Sequence, residues 1–205
     1  MSPSFLVDVG GSALPFALLT SIFAMTMSVV AAQQRSETIL LAATRAVKAT
    51  LGLMVLTAIG LWTAFLTDRF DLEYVASYSS RDLPWAYKIA ALWGGQKGSL
   101  VLWALILAAY AALVARTNRG GEPVLHGMVG AVLMGILTFF LLLANFSTNP
   151  FERVAAAADG NGLNPLLQHP VMAIHPPMLY TGFVGMSVPY AFLMASLWLG
   201  RSDDR

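Results

Sequence analysis

Two of the chain's 3 histidines lie in one short stretch, QHPVMAIHPPMLY, from Gln168 to Tyr180. His175 is followed by Pro176 and Pro177, and then by an apolar run. A proline pushes the residue before it out of the α region. Prolines themselves are tolerated in a helix's first turn, where their missing N–H groups would be unpaired in any case. The spacing therefore predicts an extended His175 just outside a helix, with its imidazole held in a fixed direction. Neutral imidazole is a common ligand for metal ions and haem iron, so ligation is the chemistry this arrangement suits. The other reading is an interfacial histidine bonded to water or a carbonyl. His169 is an unpromising second ligand, because Pro170 argues against a helix joining the two, and a zinc site needs a third ligand that no nearby residue supplies. His126 belongs to the other side of the chain and reads as structural.

A second constellation is ALWGGQKGSLVLW, Ala91 to Trp103. Gly94, Gly95 and Gly98 are expected to break a helix, and Ser99 to cap the next one. Such glycines would let the backbone approach a flat ligand, with Trp93 and Trp103 as stacking walls. They would serve equally as a plain glycine turn between helices with tryptophans in the interfacial belt. No Gly-Lys-Ser/Thr step follows, so this is not a phosphate loop.

The elements that must position these residues are set by composition. Of 205 residues, 57% are hydrophobic and only 11% charged, against about 25% charged in a soluble domain. Lipid is the expected solvent. A formal net charge of +1 provides no basic patch for nucleic acid, and the absence of cysteine removes disulfides, thiolate metal sites and thiol nucleophiles. Five apolar runs are long enough to cross a hydrocarbon core of about 30 Å as helices: residues 13–32, 49–66, 99–115, 127–146 and 178–200. The expected fold is an all-α polytopic transmembrane bundle forming one membrane domain. The helical cores carry almost no charge, which disfavours an ion-coupled carrier. Gly127, Gly130, Gly135, Gly182 and Gly185 are expected to mark helix contacts.

Residues before the first run include Asp8 and no Lys or Arg, unlike a signal peptide. Arg35, Arg45, Lys48, Arg116, Arg119, Arg201 and Arg205 flank the other ends of the spans. The positive-inside rule then puts the N-terminus outside. Two long connections, residues 67–98 and 147–177, face the same outer side. The first should contain an amphipathic interfacial helix from Pro84 to Trp93, with Trp85 and Tyr87 at the interface. The second has Asn-Pro steps at Asn149 and Asn164, which bracket a helix-prone piece and a flexible DGNG turn at Asp159 to Gly162.

The block WGGQKGSLVLW, followed by NPFERV and DGNGLNPLLQHPVMAIHPPMLYTGFVGMSVPYAF, resembles the N-terminal part of the CcmF family over about residues 83–193. The first two spans fit that family by position only. CcmF proteins are the membrane haem-lyase component of cytochrome c maturation. The resemblance implies a bacterial inner-membrane protein working at the periplasmic face, or an organellar inner-membrane protein if the chain is a split form. It would accept haem from the chaperone CcmE and join it to apocytochrome c, alongside CcmH/CcmI-type subunits. It implies that His175 is an outer haem-iron ligand to haem b, with Trp93, Gly94, Gly95, Trp103, Pro176 and Pro177 around the cofactor. The family's tryptophan-rich platform, second outer histidine and membrane-buried histidine pair lie beyond the matched region. The chain is therefore expected to act with the remaining CcmF portion, as a split or truncated form, and not to catalyse haem attachment alone. Lys97 and His169 depart from the residues expected there, and Lys97 raises the idea of a haem propionate partner. The competing expectation is a structural or assembly subunit that binds no haem.

Overall fold

In lipid, a chain can pair its backbone groups only as helices or a closed barrel, and the apolar runs here become helices. The computed structural model describes residues 2–117 and 122–200; Arg119, Arg201 and Arg205 lie outside them. The elements are α1 (Pro3–Gln34), α2 (Glu37–Leu66), α3 (Glu73–Tyr78), α4 (Trp85–Ala90) with a 3₁₀ turn (Ala91–Trp93), α5 (Gln96–Thr117), α6 (Pro123–Phe146), a 3₁₀ turn (Pro165–Leu167), α7 (Pro170–Gly185) and α8 (Ser187–Trp198). Among the described residues five spans are long and apolar enough to cross a membrane, the fifth made of α7 and α8 together. The protein is thus an all-helical, multi-pass membrane protein.

The spans run longer than the apolar runs alone suggest. Residues 37–48, expected as loop, are the first three turns of α2, and Arg45 and Lys48 are helical. Only Arg35, in the left-handed region at φ 50°, and the N-cap Ser36 separate α1 from α2. The two helices pack through Gly10 and Gly60. A Cβ on Gly10 would lie 2.7 Å from the Cα of Gly60, so only glycine lets the backbones come so close. Hydroxyl contacts across helices add polar links: Ser21 to Thr138 at 3.0 Å joins α1 and α6, and Thr50 donates to Thr20 at 3.0 Å between α2 and α1. Of the glycines expected at contacts, Gly127, Gly130, Gly135 and Gly185 do meet a neighbouring helix. Gly182 faces open space, with nothing within 4 Å of where its Cβ would be.

The fifth span begins eight residues earlier than expected and is broken. His169, not the His-Pro-Pro step, starts it: its Nδ1 accepts from the Val171 N–H at 3.3 Å, and Pro170 takes the first helical position. Pro176 and Pro177 therefore lie inside α7, and His175 is helical, not extended. The break at Met186 follows from Pro189, which has no N–H to give the Gly185 carbonyl, and the chain tightens locally as Met186 N–H donates to Phe183.

Both long connections fold together into a cap at the end of the bundle where α1 starts. Leu72 and Arg153 form an isolated antiparallel bridge. Around it, Glu73 N–H donates to Glu152 at 3.0 Å, Val154 N–H to Asp71 at 2.9 Å and Asn161 N–H to Ala76 at 2.8 Å. The alanine-rich piece after Asn149 is not helical, because its flanking backbone groups are engaged by the first connection. The cap has its own core, in which Phe65, Leu72, Tyr74, Val75 and Leu92 are buried.

Candidate functional site

The two motif blocks meet on the inner side of the cap. Pro177 has no N–H, so the carbonyl of Ala173, four residues earlier, loses its partner within α7. The indole N–H of Trp93 takes that place, donating to Ala173 at 3.0 Å. The proline pair thus does not start the helix; it opens an acceptor that the tryptophan of the other block reads. Ser99 sits inside α5, not at its cap, and its hydroxyl donates to the Trp93 carbonyl at 3.2 Å and lies 3.5 Å from the Tyr180 hydroxyl. Trp103 packs its ring against Tyr180 at 5.4 Å and Phe140 at 5.6 Å. Substituting Trp93 by Phe keeps an aromatic ring but leaves the Ala173 carbonyl without the indole N–H. A loss of about 1–3 kcal/mol in thermal stability is expected, with faster amide exchange over residues 170–177.

The glycines permit close approach, and the chain itself fills the space. A Cβ on Gly94 would lie 2.9 Å from Leu163, one on Gly95 would run into the Tyr78 ring, and one on Gly98 into the Leu92 carbonyl. Gly94 lies in the turn, whereas Gly98 is helical in α5. Tyr74 organises this turn. Its hydroxyl donates to the Leu92 carbonyl at 2.9 Å and accepts from the Gly95 N–H at 3.0 Å. Burial pushes the phenol well above its ordinary range, so it keeps its proton.

His175 is exposed, and its side chain makes no hydrogen bond or ion pair with any described residue. The half-buried Ala173, Pro176, Pro177 and Tyr180 form the packed side of α7, while His175 shares the other side with Val171, Met178, Leu179 and Phe183. Inward from His175, Met178, Leu179, Gly182, Phe183 and Met186 line an open apolar groove of about 380 Å³. His126 lies in the first turns of α6, at the opposite end of the bundle from the cap. Among the described residues no three His, Cys, Asp or Glu side chains gather as a metal ion would require.

Lys97 is engaged within the protein. Its ammonium donates to Glu73 and Glu152, each at 2.9 Å, clamping the two connections. Among the described residues these two carboxylates are what its charge meets. Glu73 is held below its ordinary range chiefly by the Lys97 hydrogen bond, against the cost of its partial burial, with a further bond from Ser77. Asp71 is likewise lowered by Arg69. A carboxylate with a depressed folded pKa contributes stability above its unfolded value and loses it as pH falls through the folded one. The cap is therefore expected to hold at neutral pH and to loosen below about pH 4, seen as a rise in amide exchange at residues 71–79 and 152–162. No such change is expected between pH 6 and 9.

Sequence reasoning missed Tyr74, Tyr180 and the Ala173 carbonyl. The last was legible in principle, since any helical proline frees the carbonyl four residues back. Tyr74 carries no such signal, because its partners are backbone groups brought near only by the fold.

A bundle of apolar spans with one ordered cap, and two motif blocks joined beneath it, defines a helical multi-pass membrane protein whose long connections are gathered at one end. The chain matches the family described as "Cytochrome C assembly protein" over residues 93–204, more than half of its 205 residues, and it belongs to that family. Within it, the likeness is to an N-terminal portion of CcmF-type proteins. The chain is 48% identical over 142 residues to the cytochrome c-type biogenesis protein CcmF of Pseudomonas aeruginosa, covering 68% of this chain and 22% of that protein. It is 38% identical over 199 residues to the cytochrome c-type biogenesis protein ccl1 of Rhodobacter capsulatus, covering 97% of this chain and 30% of that one. A solved structure of cytochrome c haem lyase CcmF matches with a TM-score of 0.80 at 30% identity, over 100% of this chain and 32% of the other. The likeness thus extends beyond residues 83–193 to take in the first two spans, and the chain spans less than a third of the length of these relatives.

Proposed function

We propose that the chain forms part of a membrane haem lyase for cytochrome c maturation, with His175 as an axial ligand to the iron of a haem b taken up at the periplasmic face of a bacterial inner membrane. The observation that carries this reading is an exposed imidazole without a partner among the described residues, at the head of an open apolar face. Such an apolar face suits the flat apolar macrocycle of a haem, and its place directly inward of the imidazole is what favours that occupant over a lipid chain. Gly182, with open space above it, leaves that face level. Trp93 and Pro177 hold the turn of α7 that carries His175, so the imidazole is oriented before the cofactor arrives. Trp103 acts one layer inward, backing Tyr180, and Gly94 and Gly95 keep the turn that places Trp93. Haem supplies the iron and the vinyl groups that the thiols of apocytochrome c attack; the protein supplies orientation. A further iron ligand would come from the remaining CcmF portion. The haem donor is CcmE, and CcmH/CcmI-type subunits present the apocytochrome.

A second reading, a structural subunit that binds no haem, draws on a specific observation: His169 is used as a helix cap and His126 lies at the other end of the bundle, so no described residue completes a bis-histidine pair. Haem content of the complex assembled with His175→Ala separates the two. A large loss supports ligation, and unchanged content supports the structural role.

A further inference from the structure

A polar cleft and an apolar groove share an edge where α1 enters the cap, and neither belongs to the site around His175. The cleft, of about 310 Å³, is lined by Asp8, Ser12, Asn149 and Arg153 among others. The groove, of about 320 Å³, runs between α1 and α2 along Val9, Ala13, Phe16, Leu53 and Leu56. Asp8 and Ser12 line both. We propose that together they bind a zwitterionic phospholipid of the phosphatidylethanolamine type, head group in the cleft and one acyl chain in the groove.

Three features select that ligand. The first is depth. Asp8 lies five residues before Ala13, where the apolar run begins, which is about 7 Å along a helix. That is the head-group layer flanking the hydrocarbon core. The second is charge. Arg153 donates to Asp8 at 2.6 Å, and its other terminal nitrogen stands 4.0 Å from Asp71, whose carboxylate is already held by Arg69 at 2.7 Å. Two bases and two acids cancel, so an anionic head group gains no net attraction. A zwitterion matches both members of the Arg153–Asp8 pair at once and can share it, its phosphate on the guanidinium and its ammonium on the Asp8 carboxylate. Arg153 and Asp8 are 61% and 56% exposed, so both can be reached. The third is continuity. The groove leaves the cleft toward the membrane centre along one side of α1, bounded by the exposed Phe16. A primary ammonium donates hydrogen bonds to Asp8 that a quaternary one lacks, so phosphatidylethanolamine is favoured over phosphatidylcholine.

Native mass spectrometry of the full chain, offered phosphatidylethanolamine, phosphatidylglycerol and phosphatidylcholine with identical acyl chains, tests this. Phosphatidylethanolamine is expected to be retained about tenfold better than either of the others. Arg153→Gln removes the phosphate contact. Ser12→Trp, at an exposed helical position, blocks the junction of cleft and groove without burying new bulk. Both are expected to bring retention down to the phosphatidylglycerol level while helicity by circular dichroism stays unchanged. Equal retention of the three lipids, preference for phosphatidylglycerol, or a preference that survives Ser12→Trp would overturn the proposal.

Discussion

Replacing His175 by alanine is expected to lower haem retained by the assembled complex by about 100-fold, and cytochrome c yield with it. The magnitude follows from what supporting residues are worth. Removing a group that merely orients a metal-ligating histidine costs 10–100-fold in affinity or activity, so removing the ligand itself should reach the top of that range. The fold should survive, because the side chain is exposed and bonded to no other described residue. Alanine is also a better helix former than histidine at an interior position of α7. The same substitution would leave haem content untouched if the subunit were structural. Purified complexes compared for haem per protein, with helicity as a control, give the answer.

The second large effect is expected at Tyr74, which touches no proposed ligand. Tyr74→Ala should destabilise the cap by about 3–5 kcal/mol, the range for truncating a buried aromatic. The ring is 1% exposed, packs on Phe65 at 5.6 Å and Tyr78 at 4.9 Å, and holds both sides of the glycine turn. Tyr74→Phe separates packing from polar contacts. It leaves the Leu92 carbonyl and the Gly95 N–H without their partner at about 1–3 kcal/mol. Thermal unfolding of the detergent-purified chain measures both, and the alanine variant should fall further. Since the turn places Trp93, and Trp93 holds the helix turn before His175, haem retention is expected to drop in the alanine variant as well. A Tyr74→Ala protein as stable as its parent would show that the cap does not depend on this ring.

How far the sequence reaches is plain from particular elements. The spans were legible because lipid leaves the backbone one local solution, and a long apolar run declares it. Their ends were less so. Arg45 and Lys48 look like loop by polarity, yet long basic stems are compatible with a helix that has left the hydrocarbon. The His-Pro-Pro step misled for a related reason. A proline's effect on the preceding residue is a bias, and here Pro170 one step after His169 had already started the helix. The bias then reappeared as a freed carbonyl rather than as a helix end. The meeting of Trp93 with Ala173, and of Lys97 with Glu73 and Glu152, joins residues far apart in sequence. No local pattern encodes those contacts; they exist once two connections fold onto each other. Resemblance to CcmF proteins supplied the pairing of the two blocks before any geometry did.

The central claim is that the imidazole of His175 touches iron. The optical spectrum of the haem in the complex assembled with His175→Ala, recorded before and after adding free imidazole, tests it most directly. Ligation predicts a Soret band that is weakened and shifted in the variant and returns toward the parent position when imidazole enters the space the side chain left. A variant spectrum superimposable on the parent's at equal haem content, and indifferent to imidazole, would contradict it.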